Sequence, residues 1–216
     1  MEYEQLPYII SFQRSGSHWL HCALELATGK RRVFMPFGIA PPLQITFAPK
    51  EWEIRWVHAH GCPVRPTGKV IYLYRDPTDV LYSVYRVRLQ SPIPPKSEDD
   101  FVTNVGRILQ AHLVRWLLSE DKADHRVRYE EMAANSVGTV AKVAGWLGLR
   151  VIRDTAADEV TRERLARSRV EGFTAHFNAD MLEPDYEEQR IAFRARNADR
   201  VRELVVSPDL EPFFPR

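Results

Sequence analysis

Three groups of residues in this chain have the types and the spacing to do chemistry. The first is Gln13-Arg14-Ser15-Gly16-Ser17-His18-Trp19, lying between the β-forming run Tyr8–Phe12 and an apolar-periodic stretch. A strand, a small polar turn and a helix make an anion site, because successive backbone N–H groups converge at the positive end of the helix dipole. Arg14 adds a planar charge-assisted clamp, and Ser15 and Ser17 add hydroxyl donors. The spacing is not that of a Walker A loop, since G-x-x-x-x-G-K-[ST] is missing. The second group is histidine. His58 and His60 are two apart in the run Glu53–His60, so they share one face of a strand that ends at Gly61. Strand ends in α/β sheets are where sites form. His18 and His21 stand on the first helix, where His21 is expected to be exposed. No Asp, Glu or Cys accompanies either histidine pair at ligand spacing, so no metal is expected. The third group is Arg75, at the end of the apolar run Lys69–Tyr74, with Ser83 on the helix that follows.

These residues need elements to hold them. Leu20, Ala23, Leu24 and Ala27 recur on one helical face, with Gly29 just past the end. Lys30–Arg32 is basic, and Phe34 to Pro49 carries Pro36, Pro41, Pro42 and Pro49, which forbid a long helix. That segment reads as a loop packed over the core, and its apolar residues from Met35 to Phe47 offer a wall for an acceptor substrate. Asp76-Pro77-Thr78-Asp79 is a helix start, with Asp at the N-cap, Pro at the first position and Asp at the third. Leu89 to Asp100, with Pro92, Pro94 and Pro95, reads as a surface loop. Phe101–Leu118 is amphipathic, with Val105, Ile108, Leu109, Leu113 and Trp116 at helical spacing. His125–Tyr129 reads as a strand, Val137–Leu147 as a helix closing on Gly148, and Asp185–Val205 as a long charged helix. Arg153, Arg162, Arg164, Arg167 and Arg169 read as a solvated face from which one side chain could reach an anion.

The alternation of strands and helices predicts one α/β domain over residues 1–216, a mostly parallel central sheet flanked by helices in the three-layer style of P-loop nucleotide kinases. A formal charge of +1 gives no global field toward nucleic acid, so none is expected as a partner. Two cysteines, Cys22 and Cys62, suit a reducing compartment. The acidic, mixed N-terminus is unlike a signal peptide, and no apolar run approaches the ~20 residues that span a bilayer. A cytoplasmic protein without stable membrane insertion is the expectation. Oligomeric state is not legible.

The opening Arg14-Ser15-Gly16-Ser17-His18-Trp19, with the later Arg75-x-Pro77-x-Asp79-Val80-x-x-Ser83, resembles the sulfotransferase family that uses 3′-phosphoadenosine 5′-phosphosulfate (PAPS). The stretch Arg128-Tyr129-Glu130-Glu131-Met132, followed by a helix ending Trp146-Leu147-Gly148, is similar as well, so the resemblance runs from Tyr8 to about Leu149. It implies that Arg14, Ser15, Gly16, Ser17 and His18 hold the 5′-phosphosulfate, with Trp19 against the adenine and Tyr129 near it. Arg75 and Ser83 would hold the 3′-phosphate, and Arg169 is the nearest candidate for the family's C-terminal Arg-Lys-Gly stretch. Val57-His58-Ala59-His60 matches the family's base, with His60 as general base and His58 where a Lys usually stands. The chain departs at His18, which replaces a Thr, and at His58, which leaves charge on the bridging oxygen to Arg14. The implied activity is sulfuryl transfer from PAPS, without a metal, to a hydroxyl of a small molecule or glycan, or to an amine. Two other classes stay open. An ATP- and Mg²⁺-dependent kinase of P-loop-like fold explains the strand, loop and helix but not Arg75 and Ser83. A catalytically silent nucleotide-binding module explains the departures.

Overall fold

The structure, a computed structural model, describes residues 5–35, 53–153 and 184–215. The described residues up to 74 and from 119 to 153 form one compact unit, and 75–118 with 184–215 form a second.

The first unit is built on a five-stranded sheet. Its strands are β1 (Tyr8–Ser11), β2 (Arg31–Met35), β3 (Ile54–Ala59), β4 (Val70–Tyr74) and β5 (His125–Arg128). They run in the order β2-β3-β1-β4-β5, and all four pairings are parallel. β1 and β4 are buried at every position, which is why both read as unbroken apolar runs rather than alternating ones. β1 lies centrally, with Ile9 opposite His58 on one side and Ile71 on the other. The chain leaves β1 for one flank and later fills the other, so the carboxyl end of β1 is a topological switch point, where α/β sheets open a crevice.

Three helices belong to this unit: α1 (Ser17–Thr28), α4 (Tyr129–Ala134) and α5 (Ser136–Trp146), with α2 (Pro77–Leu89) and α3 (Glu98–Leu117) lying in the other. α1 ends as expected, with Gly29 left-handed at φ 66° and its N–H on the Glu25 carbonyl at 2.9 Å. Its buried face takes in Leu20, Ala23, Leu24 and Ala27, but also His21, which is fully buried and not exposed. The reason is a polar partner in the core: the Trp56 indole donates to His21 Nδ1 at 3.0 Å. Arg31–Met35, read from sequence as a basic stretch running into a loop, is a strand because β3 offers it a parallel edge. The rest of the proposed acceptor wall, from Pro36 to Pro49, lies outside the described residues. β5 stops at Arg128, so Tyr129 opens a helix instead of closing a strand.

The second unit contains α2 (Pro77–Leu89), α3 (Glu98–Leu117), α6 (Tyr186–Val205) and a 3₁₀ helix, Pro208–Phe213. Asp76 caps α2 as expected, its carboxylate accepting from the N–H groups of Thr78 and Asp79 at 2.9 and 3.1 Å. α3 begins at Glu98, earlier than its apolar pattern. Ser97 accepts from the Asp100 N–H at 3.1 Å, and three acidic residues in the first turn suit the positive end of the helix dipole. Ile108 is 59% exposed, because the buried line of α3 runs through Val102, Gly106, Leu109, Leu113 and Trp116 and bypasses it. Tyr82, Tyr85 and Phe193 form an aromatic cluster between α2 and α6. Gly106 lets α3 approach α6, since a Cβ there would stand 2.7 Å from Leu204 Cδ2. Among the described residues no helix is long and apolar enough to cross a membrane.

Candidate functional site

Because the strands are parallel, the ends of β1, β3 and β5 share one edge of the sheet. β1 hands the chain to the Gln13–Gly16 turn, β3 to His60, and β5 to Tyr129. In the turn, Arg14 takes φ 67°, a left-handed conformation that costs a non-glycine residue about 1–3 kcal/mol. Such strain marks a backbone over-determined by its surroundings. Gly16 has φ 91°, and a Cβ there would lie 2.4 Å from Tyr129 Cδ2. Glycine is therefore required twice, by conformation and by the tyrosine ring against it. α1 starts after Gly16 with no side-chain cap and no acidic residue in its first turn. Its first N–H groups have no intrahelical acceptor, and no acidic residue of the first turn faces the dipole. That arrangement suits a phosphate. Ser15 and Ser17 are buried, at 1% and 2% exposure, and Trp19 meets Tyr129 edge-on with ring centroids 5.9 Å apart.

The histidines form one cluster. His58 is buried at 1% exposure, its ring centroid 4.0 Å from His21, 4.9 Å from His60 and 5.8 Å from His18. Burial drives the His58 and His21 imidazoles well below the ordinary range, and the charge of Arg32 and the neighbouring imidazoles add to it. Burial, then Arg32, His60 and Arg14, lowers His18 to about 4. All three rings are therefore neutral near pH 7. His60, just past the end of β3, is only partly buried. Its Nδ1 lies 3.1 Å from the Ser11 carbonyl oxygen and 3.4 Å from the Ser11 hydroxyl. A carbonyl can only accept, so Nδ1 carries the proton and Nε2 keeps its lone pair. Burial lowers His60 too, partly offset by this bond. Among the described residues no three His, Cys, Asp or Glu side chains are disposed to hold a metal ion.

In the second unit, Arg75 is 6% exposed and Ser83 2%. Asp79 and Ser83 stand four apart on one flank of α2, and Arg75 lies just before its N-cap Asp76. Arg75 pairs with Asp79 at 3.5 Å, and Asp79 in turn bonds Arg190 and Arg194 of α6. Neither the Ser11 carbonyl, the clustering of His18 and His21 with His58, nor the two α6 arginines came out of the sequence reading. The i, i+3 pair His18/His21 beside the i, i+2 pair His58/His60 was a signal for the cluster. Arg169 lies outside the described residues.

The fold is shared with known structures at low identity. A mouse sulfotransferase, SULT7A1, complexed with PAP superposes with a TM-score of 0.71 at 17% identity, covering 97% of this chain and 88% of that one. Retinol dehydratase, in complex with androsterone and the inactive cofactor PAP, gives 0.54 at 15% identity, covering 97% and 84%. These likenesses are of fold, the P-loop-kinase-like α/β arrangement. No curated protein matches the chain significantly in sequence. The model of the family described as "Sulfotransferase domain" does match, over residues 58–184, a span that opens on His58 and takes in His60, Arg75, Ser83 and Tyr129. With more than half its length so matched, the chain belongs to the sulfotransferase domain family.

Proposed function

We propose that the whole chain works as one domain that moves a sulfuryl group from PAPS to a hydroxyl, or less readily an amine, of a small molecule or glycan, in the cytoplasm and without a metal. The observation that carries this reading is the His60–Ser11 bond, because it leaves an unprotonated imidazole nitrogen at the strand end next to an anion-binding turn. The turn fits the phosphosulfate: Arg14, Ser15, Gly16, Ser17 and His18 surround an uncapped helix start. Trp19 and Tyr129 offer aromatic faces for an adenine. Arg75 and Ser83 supply a guanidinium and a hydroxyl for the 3′-phosphate. Arg169 is proposed as their C-terminal complement from sequence alone.

The acceptor oxygen attacks sulfur in line while its proton passes to His60 Nε2. The new O–S bond forms as the bond from sulfur to the 5′-phosphate oxygen breaks, and that oxygen keeps the electron pair. Arg14 and the N–H groups at the start of α1 meet the charge that develops there. His58, a neutral ring, contributes no cation in place of the family's Lys; it packs edge-on against His60 and holds its plane.

Titration calorimetry with adenosine 3′,5′-bisphosphate, 5′-AMP and ATP with Mg²⁺ tests the nucleotide class. The bisphosphate should bind most tightly, and Arg75→Ala should remove most of its advantage over 5′-AMP, since a charge-assisted hydrogen bond contributes about 1.5–3 kcal/mol. Equal affinity for bisphosphate and 5′-AMP, with ATP and Mg²⁺ bound more tightly, would favour a kinase.

A further inference from the structure

A buried carboxylate beside a ligand-binding guanidinium normally does one of two things: it neutralises the charge, or it aims it. Asp79, in the first turn of α2, has a side chain only 12% exposed, and three arginines surround it. Arg190 Nη1 donates to both of its oxygens, at 2.9 and 3.1 Å. Arg194 Nη1 donates to Asp79 Oδ1 at 2.9 Å and to Asp76 Oδ1 at 3.0 Å, bridging the cap and the first turn of α2. Arg75 makes the longest contact, Nη2 to Oδ2 at 3.5 Å. The two α6 arginines are themselves held. Arg190 is gripped by Glu187, its Nη2 to Oε1 at 2.6 Å. α6 is registered against α2 by the Tyr82 hydroxyl on the Tyr186 carbonyl at 3.0 Å and by Phe193 against Tyr82.

We propose that Asp79 is a positioning residue for Arg75, that Arg190 and Arg194 of α6 brace it, and that the C-terminal helix thereby sets how strongly the protein selects a nucleotide bearing a 3′-phosphate. This rests on the reading of Arg75 as the 3′-phosphate ligand. A guanidinium carries its five N–H donors in a rigid fork, so fixing one end sets where the others aim. A carboxylate held by two closer arginines is a firmer post than one free to turn. The spacing fits as well: Asp79 and Ser83 fall four apart along α2, Arg75 stands just before its N-cap Asp76, and Arg190 and Arg194 fall four apart along α6.

The charge-neutralising alternative predicts the opposite sign, which makes the test decisive. Removing the negative charge with Asp79→Asn strengthens binding of an anion if Asp79 merely offsets Arg75, and weakens it if Asp79 aims Arg75. The readout is the ratio of dissociation constants for 5′-AMP and adenosine 3′,5′-bisphosphate, by calorimetry on the full chain. Asp79→Asn should lower this preference by roughly tenfold, on the scale of one charge-assisted hydrogen bond, with 5′-AMP affinity unchanged. Arg190→Met and Arg194→Met should each lower it less, and Arg194→Lys should recover part of the loss. A merely structural role would weaken both nucleotides together and leave the ratio alone. A ratio unchanged or raised in Asp79→Asn overturns the proposal. If that variant does not fold, an unchanged ratio in the Arg190→Met/Arg194→Met double variant overturns it equally. The underlying reading fails separately: the unmutated chain would then show no bisphosphate preference, or Arg75→Ala would leave one intact.

Discussion

At His60 a backbone carbonyl decides which ring nitrogen carries the proton. The Ser11 carbonyl claims the Nδ1 proton, and burial keeps the ring neutral below its ordinary range, so Nε2 is a ready acceptor at pH 7. Turnover should therefore be flat through neutral pH and fall only at pH below the ordinary imidazole range, as His60 protonates. A rate that instead climbs through pH 8 would point to a different base. His60→Ala should lower kcat by about 10²–10⁴-fold and leave bisphosphate affinity nearly unchanged. His58→Ala, by opening a hole in a buried cluster, should chiefly cost stability. If His58→Ala kills turnover while His60→Ala stays active, the two roles are reversed. Gly16 is a second residue-scale test. Gly16→Ala meets both a φ of 91° and the Tyr129 ring, so it should destabilise the protein by about 1–3 kcal/mol or more and weaken nucleotide binding, as unfolding and calorimetry would record. Adding Tyr129→Ala should relieve the clash but not the backbone strain.

Between them, α1 and β3 bury His21 and His58 and hold His18 partly buried, all as neutral rings. Their folded-state values lie below the unfolded value of about 6.5, so below that pH the unfolded chain binds more protons than the folded one. Their contribution is complete above about pH 6.5 and drains away as pH falls, over the window down to about 4 for His18. Each can cost up to roughly 1.4 kcal/mol per pH unit. Urea unfolding at pH 7 and pH 5 should show a steep acid loss, and His18→Thr should make the slope shallower; an identical slope would remove His18 from the account. The same elements show what the sequence could reveal. β1 and β4 were legible because strands buried on both faces are continuous apolar runs, and α2 because Asp76 and Pro77 announce its start. β2 was not, because Arg31 and Arg32 hide a strand that exists only by pairing with β3. His21 was misread as exposed because no helical pattern reveals that a tryptophan one strand away will hydrogen-bond it. Likewise, nothing local links Asp79 to arginines more than a hundred residues later.

Over the whole molecule, the fold survives at 15–17% identity, which is the level at which packing geometry persists and site chemistry has to be argued residue by residue. The sequence resemblance ran from Tyr8 to about Leu149, whereas the family match covers 58–184, so the kinship extends past Gly148 into a span where motifs alone are weak. The proposed reaction is sulfuryl transfer from PAPS with His60 as base. It is tested most directly by incubating the purified protein with PAPS and a panel of alcohols, phenols, sugars, lipids and amines, with and without EDTA, and quantifying adenosine 3′,5′-bisphosphate and sulfated product together. A hydroxyl acceptor should give equal amounts of the two products, with turnover that survives EDTA and is lost in His60→Ala. Turnover that disappears with EDTA and returns with Mg²⁺, or phosphorylated product formed from ATP and none sulfated from PAPS, would contradict it.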